Sequence, residues 1–188
     1  VPGSRPELFA KALAGPADAL SFDLEDAVAA ERKAEARGHL AAMLASPAAA
    51  ASAKTLIVRV NALDSAHFQA DVQAVVRPPL RLVNLPKAES VAQVRAAADA
   101  IERARQANGV VQPVGLLLNI ESPRALRDAA ALAAAHPAVA GLQLGLGDLF
   151  EPAGIDRREP AAVQQAMFAL RLAAAEAGVF AYDSAFAN

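Results

Sequence analysis

The sequence predicts an α/β fold of the (β/α)₈ (TIM) barrel type, and three observations lead to it. Short apolar runs alternate with alanine-rich stretches of helical period along the whole chain. The apolar runs have no polar face, which is typical of parallel strands covered by helices on both sides. Nearly every run ends in a polar or charged cluster, as in a barrel, whose strands bring side chains from their carboxyl ends to one face. An open doubly wound sheet concentrates its chemistry at one switch point instead.

Six runs are predicted to be strands and five stretches to be helices. The strands are Ala19–Asp23, Leu56–Val60, Leu82–Leu85, Val114–Ile120, Gly141–Leu146 and Val179–Ala181. The helices are Glu31–Leu44, Ser65–Val76, Ser90–Gln106, Pro123–Ala135 and Pro160–Ala177. We interpret Ser46–Ala53 as a helix end and a loop before the next strand.

Six strands, with the tail of another before Val1-Pro2-Gly3, are fewer than the eight that close a barrel. We therefore expect one domain over residues 1–188 that forms an incomplete barrel, with the first and eighth strands missing or partial. No Gly-x-Gly-x-x-Gly pattern opens a helix after the first strand, which disfavours a dinucleotide site.

Composition excludes several classes of protein. The chain has 18 basic and 20 acidic residues, interspersed, without the basic stripe of a nucleic-acid binder. It has no cysteine, which excludes disulfides, thiolate catalysis and cysteine-bound zinc. Its apolar stretches are interrupted before they could span a bilayer, and no secretion signal opens it. We expect a cytoplasmic protein that binds neither nucleic acid nor membrane.

Two carboxylates follow successive predicted strands, Glu121 after the fourth and Asp148 after the fifth. Neighbouring parallel strands lie about 4.8 Å apart, so the two side chains can meet at the barrel mouth. Hard oxygen ligands with room for water and substrate oxygens suit Mg²⁺. The alternative is that each side chain caps the helix that follows it. As a pair on adjacent strands they favour the metal site.

Arg59 lies inside an otherwise β-branched apolar strand. A buried guanidinium needs an anion, which would be a substrate group or a carboxylate of the preceding strand, Asp23 or Glu25. Both contacts are compatible, because a substrate-binding arginine is usually positioned by neighbouring acids.

Asp23, Glu25 and Asp26 place three acids within four residues at a strand end. Converging carboxylates repel each other, which raises at least one pKa or requires a cation. The alternative is a helix N-cap with acids in its first turn, which would account for one of the three. Lys87, after Pro86, is a candidate thioester or phosphate contact, although a lysine in a loop is usually only solvated.

Six motifs occur in order and together resemble one family. They are Val1-Pro2-Gly3-Ser4-Arg5-Pro6-Glu7, Phe22-Asp23-Leu24-Glu25-Asp26-Ala27-Val28, Val58-Arg59-Val60-Asn61, Leu85-Pro86-Lys87, Ile120-Glu121-Ser122 and Gly145-Leu146-Gly147-Asp148-Leu149. The chain resembles the HpcH/HpaI aldolase and citrate lyase β-subunit-like family over almost its whole length.

The resemblance implies a TIM barrel in a homo-oligomer, often a trimer, with Mg²⁺ held by Glu121 and Asp148. It implies that Arg59 contacts the substrate, that Glu25 and Asp26 lie around the metal and its waters, and that Arg5 lies where the thioester carrier binds. With Asp23 and Lys87 as further substrate contacts, the expected activity is a carbon–carbon lyase. Its substrate would be a 3-hydroxy-3-carboxyacyl thioester of the malyl, citramalyl or citryl type, and its products an acetyl thioester and a 2-oxo acid.

Family members also have a preceding first strand, an eighth strand and a C-terminal segment. In several malyl- and citramalyl-CoA lyases an acid on that segment, from the neighbouring subunit, takes part in catalysis. We therefore expect that these 188 residues are not the entire working unit.

Other functions remain open at this point. They are a coenzyme A-independent aldolase of the same fold, an acyl-CoA thioesterase, and a non-catalytic barrel subunit. A phosphoenolpyruvate-type Mg²⁺ barrel is disfavoured by the ordered motifs.

Overall fold

The computed structural model describes residues 1–184, and in this part of the chain it shows an α/β fold with a parallel sheet of six strands. The strands follow one another in the sheet in chain order. They are β1 Ala19–Asp23, β2 Thr55–Arg59, β3 Leu82–Leu85, β4 Gly115–Ile120, β5 Val139–Leu144 and β6 Phe180–Tyr182. The predicted α/β class is thus confirmed, and every predicted strand exists.

Nine α-helices occur among the described residues. They are α1 Phe9–Ala14, α2 Lys33–Leu44, α3 Pro47–Ala50, α4 Phe68–Val75, α5 Val91–Ala107, α6 Pro123–Arg127, α7 Ala129–Ala133, α8 Leu146–Phe150 and α9 Pro160–Ala177. Two 3₁₀ turns, Pro6–Leu8 and Ala30–Arg32, precede α1 and α2. None of the helices described is both long and apolar enough to cross a membrane.

The chain divides into two compact units, the first formed by residues 1–84 and 99–115. In this unit β1 pairs in parallel with β2, from Ala19 opposite Thr55 to Asp23 opposite Arg59, and β2 pairs with β3. Pro2 forms an isolated parallel bridge to Asp23, so the first residues run beside β1. Phe22 is fully buried and meets Phe9 edge to face, with ring centroids 5.2 Å apart.

The second unit comprises Leu85–Ala98 and the chain from Leu116 onward. Here β4 pairs in parallel with β5, and β5 with β6. Helix α9 begins at Pro160, with Glu159 as its N-cap, and ends at Ala177. The next residue, Gly178, is its C-cap, and its φ of 68° is a left-handed conformation that suits glycine. An apolar groove of about 420 Å³ is lined by residues of α9 and β6, including Phe168 and Tyr182. The prediction of a single domain over residues 1–188 stays a prediction.

The clearest correction concerns the end of β5. The sequence predicts a strand over Gly141–Leu146, but β5 spans Val139–Leu144 and Leu146 begins α8. The apolar run does not show this break, because Gly145 is the N-cap and both elements around it are apolar. Asp148 therefore lies in the first turn of a helix rather than at a strand end.

Two helix predictions also differ from the structure. The predicted helix Pro123–Ala135 is two short helices joined at Asp128, a residue type that competes with helical hydrogen bonding. The predicted loop in Ser46–Ala53 contains α3, whose Pro47 occupies the first turn while Ser46 Oγ accepts from the amide of Ala49 at 3.2 Å.

Candidate active site

Arg59 ends β2 and is held by the acidic loop after β1. Its Nε donates to Asp23 Oδ1 at 2.8 Å and its Nη2 to Asp23 Oδ2 at 2.6 Å, a bidentate pair. Its Nη1 lies 2.9 Å from Glu25 Oε2 and 3.5 Å from Asp26 Oδ2. The predicted ion pair is confirmed, and the guanidinium lies among all three acids, of the two expected outcomes the one in which a cation offsets their repulsion.

The helix N-cap alternative is wrong for the three acids, because the next helical element is the 3₁₀ turn Ala30–Arg32, whose N-cap is Ala29. Asp23 instead accepts hydrogen bonds within the loop after β1. Its Oδ1 accepts from the amide of Glu25 at 2.8 Å and its Oδ2 from the amide of Ala27 at 3.0 Å. The same carboxylate thus fixes the loop and holds Arg59. Glu25 is as buried as Asp23, whereas the side chain of Asp26 is 55% exposed. Asp26 is therefore the acid of this cluster that meets bulk water.

The electrostatics of the pair follow from its partners. Burial acts to raise the pKa of Asp23, but the hydrogen bonds and charge of Arg59, with the amides of Glu25 and Ala27, hold that pKa below its usual value. Burial acts to lower the pKa of Arg59, and the hydrogen bonds and charge of Asp23, then the charges of Glu25 and Asp26, raise it overall. Both groups stay ionised at neutral pH.

In the second unit, Glu121 follows β4 and is buried. Its Oε1 accepts from Asn119 Nδ2 at 2.9 Å, and its Oε2 accepts from the backbone amide of Lys87 at 3.0 Å. Gly145 lies so close that a methyl group built on it would overlap Glu121 Cγ and stand 3.0 Å from Oε1. Glu121 thus occupies a cradle that fixes both oxygens.

Glu121, Asp148 and Lys87 line one cavity of about 110 Å³. The capping alternative is wrong for Glu121, because Ser122 is the N-cap of α6 and its Oγ accepts from the amide of Ala125 at 3.1 Å. It is also wrong for Asp148, because α8 has Gly145 as its N-cap and no side-chain cap. Both carboxylates thus line a common cavity, and neither of them caps a helix.

The donor set fits a hard cation. Two carboxylates at a small cavity leave room for water or substrate oxygens, as Mg²⁺ prefers. Carboxylates that bind metals are usually themselves hydrogen-bonded, as Glu121 is. Among the described residues no group of three His, Cys, Asp or Glu side chains gathers in a way that could hold a metal ion.

Lys87 has a left-handed backbone, with φ of 56°, which is uncommon for a residue other than glycine. This conformation aims its amide at Glu121, a role that the sequence analysis did not assign. Its side chain is exposed. Arg5 is also exposed and pairs with Glu7 of the 3₁₀ turn Pro6–Leu8, with Nε and Oε1 2.5 Å apart.

Sequence reasoning missed Asn119 and Gly145 as parts of the Glu121 cradle. Asn119 is two residues before Glu121, so the strand period places both on one face, and this spacing could have identified it. The role of Gly145 depends on the approach of two separate chain segments, and the sequence alone carries no such signal.

Comparison with known proteins gives a consistent result. The model of the HpcH/HpaI aldolase/citrate lyase family matches residues 1–188. The citrate lyase β subunit of Escherichia coli is 36% identical over 191 aligned residues, which cover all of this chain and 62% of that protein. An L-malyl-CoA/β-methylmalyl-CoA lyase of Cereibacter sphaeroides is 33% identical over 157 residues, covering 82% of this chain and 49% of the relative.

A solved structure is also similar. The citrate lyase β subunit of M. tuberculosis, complexed with oxaloacetate and magnesium, has a TM-score of 0.76 and 32% sequence identity. The match covers 98% of this chain and 75% of that one. This chain therefore spans only part of the length of the proteins it resembles.

Proposed function

Because the chain belongs to the HpcH/HpaI aldolase/citrate lyase family, we propose that it acts as a Mg²⁺-dependent carbon–carbon lyase on a short acyl thioester. The substrate would be a 3-hydroxy-3-carboxyacyl thioester, cleaved to an acetyl thioester and a 2-oxo acid or formed in the reverse direction. The observation that carries the proposal is the cavity shared by Glu121 and Asp148, with Glu121 fixed by two donors. We further propose that the six strands belong to a (β/α)₈ barrel and that the working protein is a homo-oligomer, with a trimer favoured.

Glu121 and Asp148 would hold the cation through carboxylate oxygens. When bound, Mg²⁺ supplies a Lewis acid that polarises the hydroxyl and carboxylate oxygens of the substrate. The hydrogen bonds from Asn119 and the Lys87 amide would keep Glu121 in one orientation, so that little reorganisation accompanies binding.

Arg59 would supply fixed positive charge for an anionic substrate group. Because Asp23 holds two of its nitrogens, the guanidinium is oriented before substrate arrives, which limits the entropy lost on binding. Fixed donors of this kind stabilise charge that develops during the reaction more effectively than mobile water does.

Proton transfer is the step for which Glu25 and Asp26 are candidates. Glu25 is buried against Arg59, whereas Asp26 is exposed and can exchange protons with solvent. We therefore propose that Asp26 relays the proton of the substrate hydroxyl. Lys87 and Arg5 remain candidates for contacts with the thioester carrier.

The experiment is an assay of the purified protein with malyl-, citramalyl- and citryl-CoA. The expected result is equimolar acetyl-CoA and 2-oxo acid, abolished by EDTA and restored by Mg²⁺. Glu121→Gln and Asp148→Asn should each lower kcat/KM by about 10²-fold or more, within the range for a lost electrostatic contact. Glu151→Gln is the matched control, because Glu151 is an exposed carboxylate just after α8 and should change little.

Other products would identify another function. Free coenzyme A without an acetyl thioester would indicate a thioesterase, and cleavage of free hydroxy-oxo acids alone would indicate an aldolase. Turnover that is unchanged in EDTA would contradict the metal assignment. No turnover of any of these substrates would favour a non-catalytic barrel subunit.

A further inference from the structure

A buried carboxylate in the first unit has no place in the chemistry described so far. Asp71 lies in α4 and is fully inaccessible to solvent. Arg37 Nε, from α2, donates to its Oδ1 at 2.8 Å. Its Oδ2 accepts from the amide of Asn61 at 3.0 Å and from Asn61 Nδ2 at 2.6 Å. The Oδ2 atom of Asp71 thus accepts two hydrogen bonds from Asn61, which lies just beyond the end of β2.

Asn61 connects Asp71 to the acidic loop. Its Nδ2 also donates to the carbonyl of Leu24 at 3.0 Å. The same carbonyl accepts from Lys33 Nζ at 2.9 Å, and the amide of Leu24 donates to the carbonyl of Arg59 at 2.9 Å. Both the amide and the carbonyl of Leu24 are therefore hydrogen-bonded. The amide donates to Arg59, and the carbonyl accepts from Asn61 and Lys33.

Leu24 stands between the two acids that hold the guanidinium, Asp23 and Glu25. A shift of the Leu24 peptide would move both carboxylates relative to Arg59. We propose that Asp71 is a positioning residue that acts through Asn61 and Leu24 on the orientation of Arg59. This inference rests on the proposed function, in which Arg59 contacts the substrate.

Stability alone explains the arrangement poorly. A buried ion pair contributes little net stability compared with an apolar pair of the same size, because both charges must be desolvated. The ion pair with Arg37 instead fixes the carboxylate of Asp71, so that its Oδ2 is a strong hydrogen-bond acceptor beside Asn61, just beyond the end of β2. Such an oxygen orders the Asn61 side chain, which an apolar residue could not do.

The test uses Asn61→Ala, which removes the bond to Leu24 and leaves the charge of Asp71 paired with Arg37. We expect kcat/KM for the thioester to fall about tenfold to hundredfold, since small misplacements of positioning groups have effects of this size. Gln73→Ala is the matched control. Gln73 lies on α4, the helix that carries Asp71, but it is exposed and forms hydrogen bonds with Asn108. The control should match the wild-type protein.

A double-mutant cycle separates positioning from a structural role. If Asp71 and Asn61 act through Arg59, Asn61→Ala should lower kcat/KM less than threefold in an Arg59→Lys background. The reason is that the effects of mutations in residues that act as a unit do not add. An equal loss in both backgrounds would overturn the inference.

Amide hydrogen exchange provides a readout that does not depend on activity. The Leu24 amide should exchange at least tenfold faster in Asn61→Ala than in the wild type, and at the wild-type rate in Gln73→Ala. The double variant Arg37→Gln/Asp71→Asn, which leaves no charge unpaired, should show the same increase. Unchanged exchange in both would overturn the positioning role. A wild-type protein without lyase activity would refute the proposed function and leave the exchange result to decide whether Asp71 orders this loop.

Discussion

Replacing Gly145 by alanine tests whether the Glu121 cradle controls metal binding. The backbone of Gly145, with φ of −110° and ψ of 80°, is not in the left-handed region, so any effect comes from space rather than from φ. The added methyl group would overlap Glu121 Cγ and stand 3.0 Å from Oε1 and 3.1 Å from Cδ. Ordinary contacts between carbon atoms are about 3.5–4.0 Å, so Glu121 must move.

The magnitude follows from the hydrogen bonds that hold Glu121. Moving the side chain stretches the bond from Asn119 Nδ2, now 2.9 Å, or the bond from the Lys87 amide, now 3.0 Å. A hydrogen bond to a charged group contributes about 1.5–3 kcal/mol, so we expect the free energy of unfolding to fall by about this amount. Loss of such supporting bonds typically weakens metal binding by about 10–100-fold, which is the expected change in the dissociation constant for Mg²⁺.

Isothermal titration with Mg²⁺ and urea denaturation measure these two changes. Gly147→Ala is the control, because the nearest atom to a methyl group there is Arg157 Nη1 at 3.9 Å, an ordinary contact. Equal Mg²⁺ affinities for the two variants and the wild-type protein would refute the cradle as a control on metal binding.

Three further predictions concern the groups around the two clusters. Arg59→Lys should lower kcat/KM by at least tenfold and also destabilise the fold, because a lysine cannot reproduce the bidentate contact with Asp23; unchanged turnover by steady-state assay would contradict this. Asp23 has a lowered pKa in the folded state, so its stabilising contribution is present above its unfolded pKa, about 3.9, and is lost as the pH falls through the folded value. In Asp23→Asn, the free energy of unfolding measured by urea denaturation should therefore fall less steeply as the pH is lowered. An unchanged pH dependence would show that other groups cause the loss of stability in acid. Lys87→Gly should relieve the left-handed strain and raise the unfolding free energy by about 1 kcal/mol. It keeps the amide that donates to Glu121, so the Mg²⁺ affinity measured by calorimetry should stay the same. A weaker affinity would show that the glycine backbone no longer holds this amide on Glu121.

The strands could be predicted because their apolar character is local. The run Leu116-Leu117-Leu118 is buried on both pleat faces, and such a run between turn residues is typical of a covered parallel strand. The break at Gly145 could not be predicted, because a strand and a helix that are both apolar give one uninterrupted pattern. Helix ends and strand ends depend on hydrogen bonds that the pattern of polarity does not encode.

The part of the site that could be predicted is the part in which a charged residue lies in an apolar strand. A guanidinium on an apolar strand needs an anion, and the sequence offered a substrate group, Asp23 or Glu25 for that role. The structure shows that Arg59 pairs with both of these acids. Asp71 gave no such signal, because an aspartate on a helix is usually exposed. Its burial depends on Arg37 and Asn61, which lie 34 and 10 residues away in the chain and meet it only in the folded protein.

The single tyrosine gives the molecule an unusual optical property. The chain has one Tyr and no Trp, so its intrinsic emission comes from Tyr182 alone, on β6 beside the groove of α9. Tyr182 is 37% exposed, and water-soluble quenchers can therefore reach its ring. Denaturation followed by this emission reports on the second unit, whereas circular dichroism in the far ultraviolet averages over both. Coincident midpoints from the two probes would identify one cooperative transition, and separate midpoints would identify two.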